Sequence, residues 1–120
     1  MNELINKLLQ YKHLIKYVDY NSNAIVFNEG DICREIGIVI KGEISISTIT
    51  YAEKEETINI IKEGELFGDF LVFSPNPVYL GIGITNKKTT IAFIKRESIL
   101  NIFIENKDIL CAYLSSTSLK

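Results

Sequence analysis

The sequence predicts a mainly β domain flanked by helices, and three observations predict it. Between Tyr17 and Ile94, short runs rich in isoleucine, valine and tyrosine alternate with turns that carry glycine, asparagine or proline, the pattern of successive strands. Ahead of that stretch, Leu4, Leu8, Tyr11 and Ile15, with Ile5 and Leu9 beside them, recur at helical spacing. Beyond it, from about Glu97, the apolar period is helical again. A chain of 120 residues, 47% apolar and 23% charged, suits one globular domain with one core.

The elements follow in order. A helix is expected to about His13. Tyr17–Tyr20 and Ala24–Phe27 read as short strands around the turn Asn21-Ser22-Asn23, and Asn28-Glu29-Gly30-Asp31 as a further turn. Ile36, Ile38 and Ile40, interleaved with Gly37 and Val39, form a mostly buried strand. Lys41-Gly42 reverses the chain into Glu43–Ser47, which alternates polar and apolar. The apolar phase then shifts between Ile46 and the pair Ile49 and Tyr51, as an extra residue in a bulge would make it do. Ala52–Glu56 reads as a solvated, charged hairpin loop, and Thr57–Ile61 as the returning strand.

Gly64–Thr85 is then a turn, a short apolar piece, a proline-bracketed loop and a strand. Asp69–Phe73 is too short for an ordinary helix and reads as a single helical turn, stopped by Pro75 and Pro77. Such a unit aims a helix N-terminus and backbone N–H groups into a hollow, a geometry suited to an anion. Along Val78–Thr85 the larger side chains Val78, Leu80, Ile82 and Ile84 fall on one face. On the other face, Gly81 and Gly83 leave room for a ligand or, as the simpler reading, another backbone. Thr89–Ile94 is the last strand. Ile99, Leu100, Phe103 and Ile104 make one helical stripe, and Asn106 caps a second helix with Ile109, Leu110, Tyr113 and Leu114 on its apolar face.

These residues carry a family resemblance. Gly64-Glu65-Leu66-Phe67-Gly68-Asp69, followed by a short helix and a strand, resembles the phosphate-binding cassette of cyclic nucleotide-binding domains, and most widely that of the sensor domain of Crp/Fnr-type bacterial transcription regulators. Phe27–Asp31 resembles the family's first Gly-Asp turn, Ile38–Ile44 its strand, Lys-Gly turn and strand, and Asn106–Leu110 the start of its dimerisation helix. The four elements stand in the family's order and cover nearly the whole chain. The resemblance implies an eight-stranded antiparallel β-roll, a cyclic nucleotide-binding-domain-like jelly roll. Its expected parts are an N-terminal helix over about residues 1–15, the roll over 17–95 and C-terminal helices over 97–120, the last one cut within its length.

Two positions depart from the family pattern. The cassette's second glycine is followed in the family by a glutamate that holds the ribose hydroxyl; here it is Asp69. About ten residues on, where the family places an arginine on the cyclic phosphate and often a small hydroxyl residue beside it, the matching positions are Tyr79 and Leu80. No lysine or arginine lies between Lys62 and Lys87. A phosphate would lose a bidentate, charge-assisted partner, and neither tyrosine nor leucine replaces it.

Other chemistry is sparse. His13 is the single histidine and reads as solvated or edge-packed. Cys33 and Cys111 belong to no CxxC or Cys/His cluster and read as two reduced structural cysteines, with a redox role for Cys33 beside Arg34 as the alternative. No metal site, catalytic triad or Gly-rich nucleotide loop ending in Lys-Ser/Thr is visible, so the chain is not expected to be an enzyme. A cupin-type enzyme on the same roll would need a His/Glu metal set. The net charge of −2 argues against direct contact with DNA or RNA. No segment approaches the roughly 20 apolar residues of a membrane span, so a cytoplasmic protein without membrane contact is expected.

The expected function is effector sensing and dimerisation within a Crp/Fnr-type regulator that does not bind cAMP in the usual way. A small-molecule effector of unknown identity would sit among Gly68, Asp69, Phe70, Tyr79 and Leu80. The last helix would join two copies as a homodimer, and DNA would be reached only through a C-terminal domain outside this chain. No cofactor is expected, a cyclic nucleotide being the one candidate. The alternatives are a genuine cyclic nucleotide receptor of a signalling protein and a ligand-free dimerisation scaffold.

Overall fold

A computed structural model describes residues 1–49 and 55–118. Among these, eight strands form two four-stranded sheets in which every pair is antiparallel. One sheet, in the order β1-β8-β3-β6, contains β1 (Ile15–Tyr20), β8 (Thr89–Lys95), β3 (Glu35–Lys41) and β6 (Leu66–Phe67). The other, in the order β2-β7-β4-β5, contains β2 (Ile25–Phe27), β7 (Ile82–Thr85), β4 (Glu43–Ile49) and β5 (Glu55–Lys62). The chain changes sheet at Asn21–Ala24, where Asn23 takes a left-handed φ of 61°, and again at Lys41-Gly42. This is the expected β-roll.

Both sheets contribute to one buried cluster. Ile36, Ile38 and Val39 of β3, Ile91, Ala92 and Ile94 of β8 and Ile44 of β4 are almost completely enclosed. The same cluster includes Leu4, Ile5 and Leu8 of α1 (Glu3–Leu8), Ile99 and Ile102 of α3 (Arg96–Glu105) and Ile109 of α4 (Lys107–Ser118). The terminal helices therefore close the core. At about 25 cal/mol per Å² of apolar surface, this shared burial is what holds helices of 6, 10 and 12 residues that would be marginal in isolation. Asn2 caps α1 by accepting from Ile5 N at 2.8 Å, and Asn106 caps α4 by accepting from Ile109 N at 3.2 Å.

Several elements differ from the sequence reading. The first helix stops at Leu8 instead of near His13; a 3-10 turn over Lys12–Leu14 follows, and Ile15 already belongs to β1. The helical spacing of Tyr11 and Ile15 serves packing from a turn and a strand, because both lie against the core. The two-residue strand β6 was hidden inside the glycine-flanked turn, and is defined only by pairing of Leu66 and Phe67 with Ile38 and Gly37. The bulge exists, but its extra residue is Ile58 on β5: Ile46 faces Asn59 while Ser47 faces Thr57. In α3 the second buried residue is Ile102, and Ile104 is 74% exposed. Leu114 of α4 likewise faces outward. Tyr51, residues 52–54 of the charged loop, Leu119 and Lys120 lie outside the described residues.

Candidate functional site

The site region begins where β3, β6 and the following turn meet. Gly68 ends β6 with φ +79°, a left-handed backbone that only glycine adopts without strain. A Cβ there would also stand 3.0 Å from Glu35 O and 3.1 Å from both Cys33 Sγ and Tyr79 Oη. From Gly68 the chain makes α2 (Asp69–Val72), the expected single helical turn, whose Leu71 and Val72 N–H groups both donate to Gly68 O, at 3.2 and 2.9 Å.

The proline loop then returns the chain along the first Gly-Asp turn. Cys33 N donates to Pro77 O, Tyr79 N to Asp31 O and Gly30 N to Tyr79 O, while Ile32 bridges Val78. The regular strand starts only at Ile82, later than expected. In β7 the buried positions are Gly83 and Thr85, with Ile82 and Ile84 half-buried. The expected apolar face is therefore not the enclosed one. Gly83 is enclosed because the Phe27 ring lies where its Cβ would be, 2.5 Å away, and Gly81 because Ser47 O would lie 2.6 Å away. Gly81 thus meets backbone, as the simpler reading had it, and Gly83 meets an aromatic ring.

Tyr79 is buried, with its ring stacked on Phe27. Its hydroxyl accepts from the Cys33 thiol at 3.4 Å. Burial, and then the neighbouring thiol and carboxylates, push the Tyr79 phenol far above the ordinary tyrosine range. Burial likewise raises Cys33. A thiol held protonated in an enclosed site is a poor nucleophile, so Cys33 has the character of a packing residue.

The five predicted site residues do not all line one hollow. Gly68, Asp69 and Phe70 line a groove of about 430 Å³ against β4 and β5, together with Ile46, Asn59 and Glu65. Tyr79 instead lines a second hollow of about 360 Å³ with Phe27, Phe67, Asp31 and Arg34. Leu80 is 74% exposed and lines neither hollow. Asp69 is 6% exposed, and Tyr113 of α4 donates its phenol to Asp69 Oδ2 at 3.1 Å. Tyr113 is in turn stacked on Phe103 of α3, with centroids 5.4 Å apart. Sequence reasoning placed Tyr113 on an apolar helix face and missed its hydroxyl as a site group. The available signal was a tyrosine, with a polar tip, among aliphatic neighbours.

Among the described residues no group of three or more His, Cys, Asp or Glu side chains is placed to hold a metal ion. No described helix is long and apolar enough to cross a membrane.

The two-sheet roll, the one-turn helix after a left-handed glycine and the helices that close its core define a β-roll domain of the cyclic nucleotide-binding type. The chain belongs to the cyclic nucleotide-binding domain family, whose pattern matches residues 17–106. No curated protein matches by sequence. Among solved structures, a transcriptional regulator from Thermotoga maritima superposes with a TM-score of 0.84 at 19% identity, over 92% of this chain and 86% of that one. The sensor domain of the transcriptional regulator DNR from Pseudomonas aeruginosa gives 0.82 at 20% identity, over 98% and 82%. The catabolite activator protein of Thermus thermophilus gives 0.78 at 18% identity, over 99% of this chain and 54% of that one. At these identities the likeness establishes a shared fold.

Proposed function

We propose that this chain is the effector-sensing and dimerisation domain of a cytoplasmic Crp/Fnr-type transcription regulator, and that it does not take cAMP in the usual way. The observation that carries the second part is Tyr79. By the sequence resemblance it answers to the family's phosphate arginine, and it is buried against Phe27 with its hydroxyl on Cys33. A ring in that position supplies no positive charge, and the nearest carboxylates in sequence, Glu63, Glu65 and Asp69, oppose an anion. A small-molecule effector in the cassette groove biases how α2 packs on α4. The last helix joins two copies and transmits the bias to a DNA-binding domain beyond this chain. The pairing of Asp69 with Tyr113 supports this route, because it already links α2 to α4.

Calorimetric titration of the purified domain with cAMP and with cGMP tests the reading. The expected result is no binding tighter than millimolar for either nucleotide. Micromolar binding would restore the cyclic nucleotide receptor, with the phosphate held by backbone N–H groups.

A further inference from the structure

The one-turn helix α2 is held by different means at its two ends. At its first residue, Asp69 meets α4 through the phenol of Tyr113. At its last residue, Arg96 of α3 reaches across: its Nε donates to Val72 O at 3.2 Å, and the guanidinium carbon lies 5.3 Å from the centroid of the Phe73 ring. Glu97 orients the same guanidinium, with Nη1 and Oε1 2.8 Å apart. The last carbonyls of a helix have no partner within it, and a charged donor makes a stronger bond to one than a neutral donor does. The cation over the ring adds a second attraction at the same point.

The backbone that carries Arg96 is itself fixed. Lys95, one residue earlier, pairs with Glu35 at the end of the β3–β8 ladder, and Arg96 N donates to Arg34 O at 3.1 Å. Arg96 therefore ties the end of α2 to the sheet that carries most of the core. Tyr113 belongs instead to α4, which packs on α1 and α3.

We infer that Arg96 is the pivot of α2: the Val72 end stays with the sheet, and the Asp69 end swings with α4. A conformational change at the cassette turn is then passed to the last helix, while the junction of β8 and α3 stays in place. The pivot is a property of α2 itself and does not depend on the identity of any ligand.

Amide hydrogen exchange followed by NMR tests the pivot. The Leu71 N–H bonds to Gly68 O and reports on the Asp69 end, and the Ser74 N–H bonds to Leu71 O and reports on the Val72 end. Arg96→Lys keeps the charge but loses the planar group that meets carbonyl and ring together. In that variant Ser74 should exchange about 3- to 10-fold faster, the range expected for loss of one hydrogen bond. The amides of Ile38 and Ile91, buried in the core strands, should be unchanged. Tyr113→Phe removes only the hydroxyl at the other end, so Leu71 should exchange faster and Ser74 should be unchanged. An unaltered Ser74 in Arg96→Lys overturns the pivot. Equal acceleration of Ile38 and Ile91 overturns it too, because Arg96 would then support the whole fold. So does acceleration of Ser74 in Tyr113→Phe, because α2 would then move as one block, and so does an unaltered Leu71, because the Asp69 end would then not be the free one. Each of these outcomes is separate from the calorimetric test with cyclic nucleotides.

Discussion

Tyr79 lies face-on against Phe27, ring centroids 3.7 Å apart and planes inclined by 13°. The pair joins the loop after the cassette to the strand after the first turn, and Phe27 in turn fills the space above Gly83. Tyr79 is part of the core. Its substitutions should therefore read as stability changes. Tyr79→Ala should cost about 3–4 kcal/mol, as removal of a buried aromatic does. Tyr79→Phe should cost about 0.5–1.5 kcal/mol for the lost contact with Cys33. Tyr79→Arg puts a longer, charged side chain into a space packed by Phe27 and Cys33 and should be the worst of the three. Urea unfolding of the three variants checks the order. A mild Tyr79→Arg would mean the ring's space opens to solvent or an anion.

Gly83 gives a second, sharper test of the same packing. A methyl group there meets the Phe27 ring at 2.5 Å, closer than any real contact, so the ring must move and the Tyr79 stack with it. Gly83→Ala should destabilise by about 1–3 kcal/mol through overpacking. Gly30→Ala meets nothing within 4 Å and should cost only its strained φ of +88°, on the order of 1 kcal/mol. Thermal unfolding of the two variants side by side would expose an error if Gly83→Ala were the milder.

The fold was legible because strand patterning and turn residues are local properties. Strands around Ile36–Ile40 and Thr89–Ile94, the cap at Asn106 and the single turn after Gly68 are all written in short windows. What was not legible depends on partners distant in sequence. β6 is two residues long and exists only because β3 lies beside it. Ile58 is extruded by the pairing of β4 and β5, so the phase change on β4 pointed to the right place and the wrong strand. The candidate pocket residues divide between two hollows for the same reason. Gly68 and Tyr79 are neighbours, yet the aromatic ring turns inward to Phe27, and Leu80 takes the outward side of the chain.

The two cysteines should differ in reactivity. Cys33 is buried and its thiol is raised by desolvation, whereas Cys111 is exposed on α4. In native protein at neutral pH, iodoacetamide should label Cys111 and leave Cys33 unmodified, and both should label after denaturation. Peptide mass spectrometry distinguishes the two sites. Rapid native labelling of Cys33 would support the alternative of a redox-active thiol beside Arg34.

The buried phenols set an alkaline limit on stability. Tyr79 has its folded-state value raised above the ordinary 10.0, first by burial. Tyr113 is raised in the same direction, by burial and by Asp69, but it is partly solvated and contributes less. Cys33 is raised above 9.0. A group whose folded value is raised binds its proton more tightly in the folded state. Its stabilisation is complete below the unfolded value and is lost as pH climbs past it. Stability should therefore be flat with respect to these groups up to about pH 8, begin to fall near 9 as unfolded Cys33 ionises, and fall more steeply beyond 10. The slope assignable to Tyr79 approaches about 1.4 kcal/mol per pH unit, the limit for one proton. Tyr79→Phe removes that proton, so its melting temperature should decline less steeply than the wild type's between pH 9 and 11. Parallel curves would show that the Tyr79 phenol titrates freely in the folded protein and would overturn the assignment.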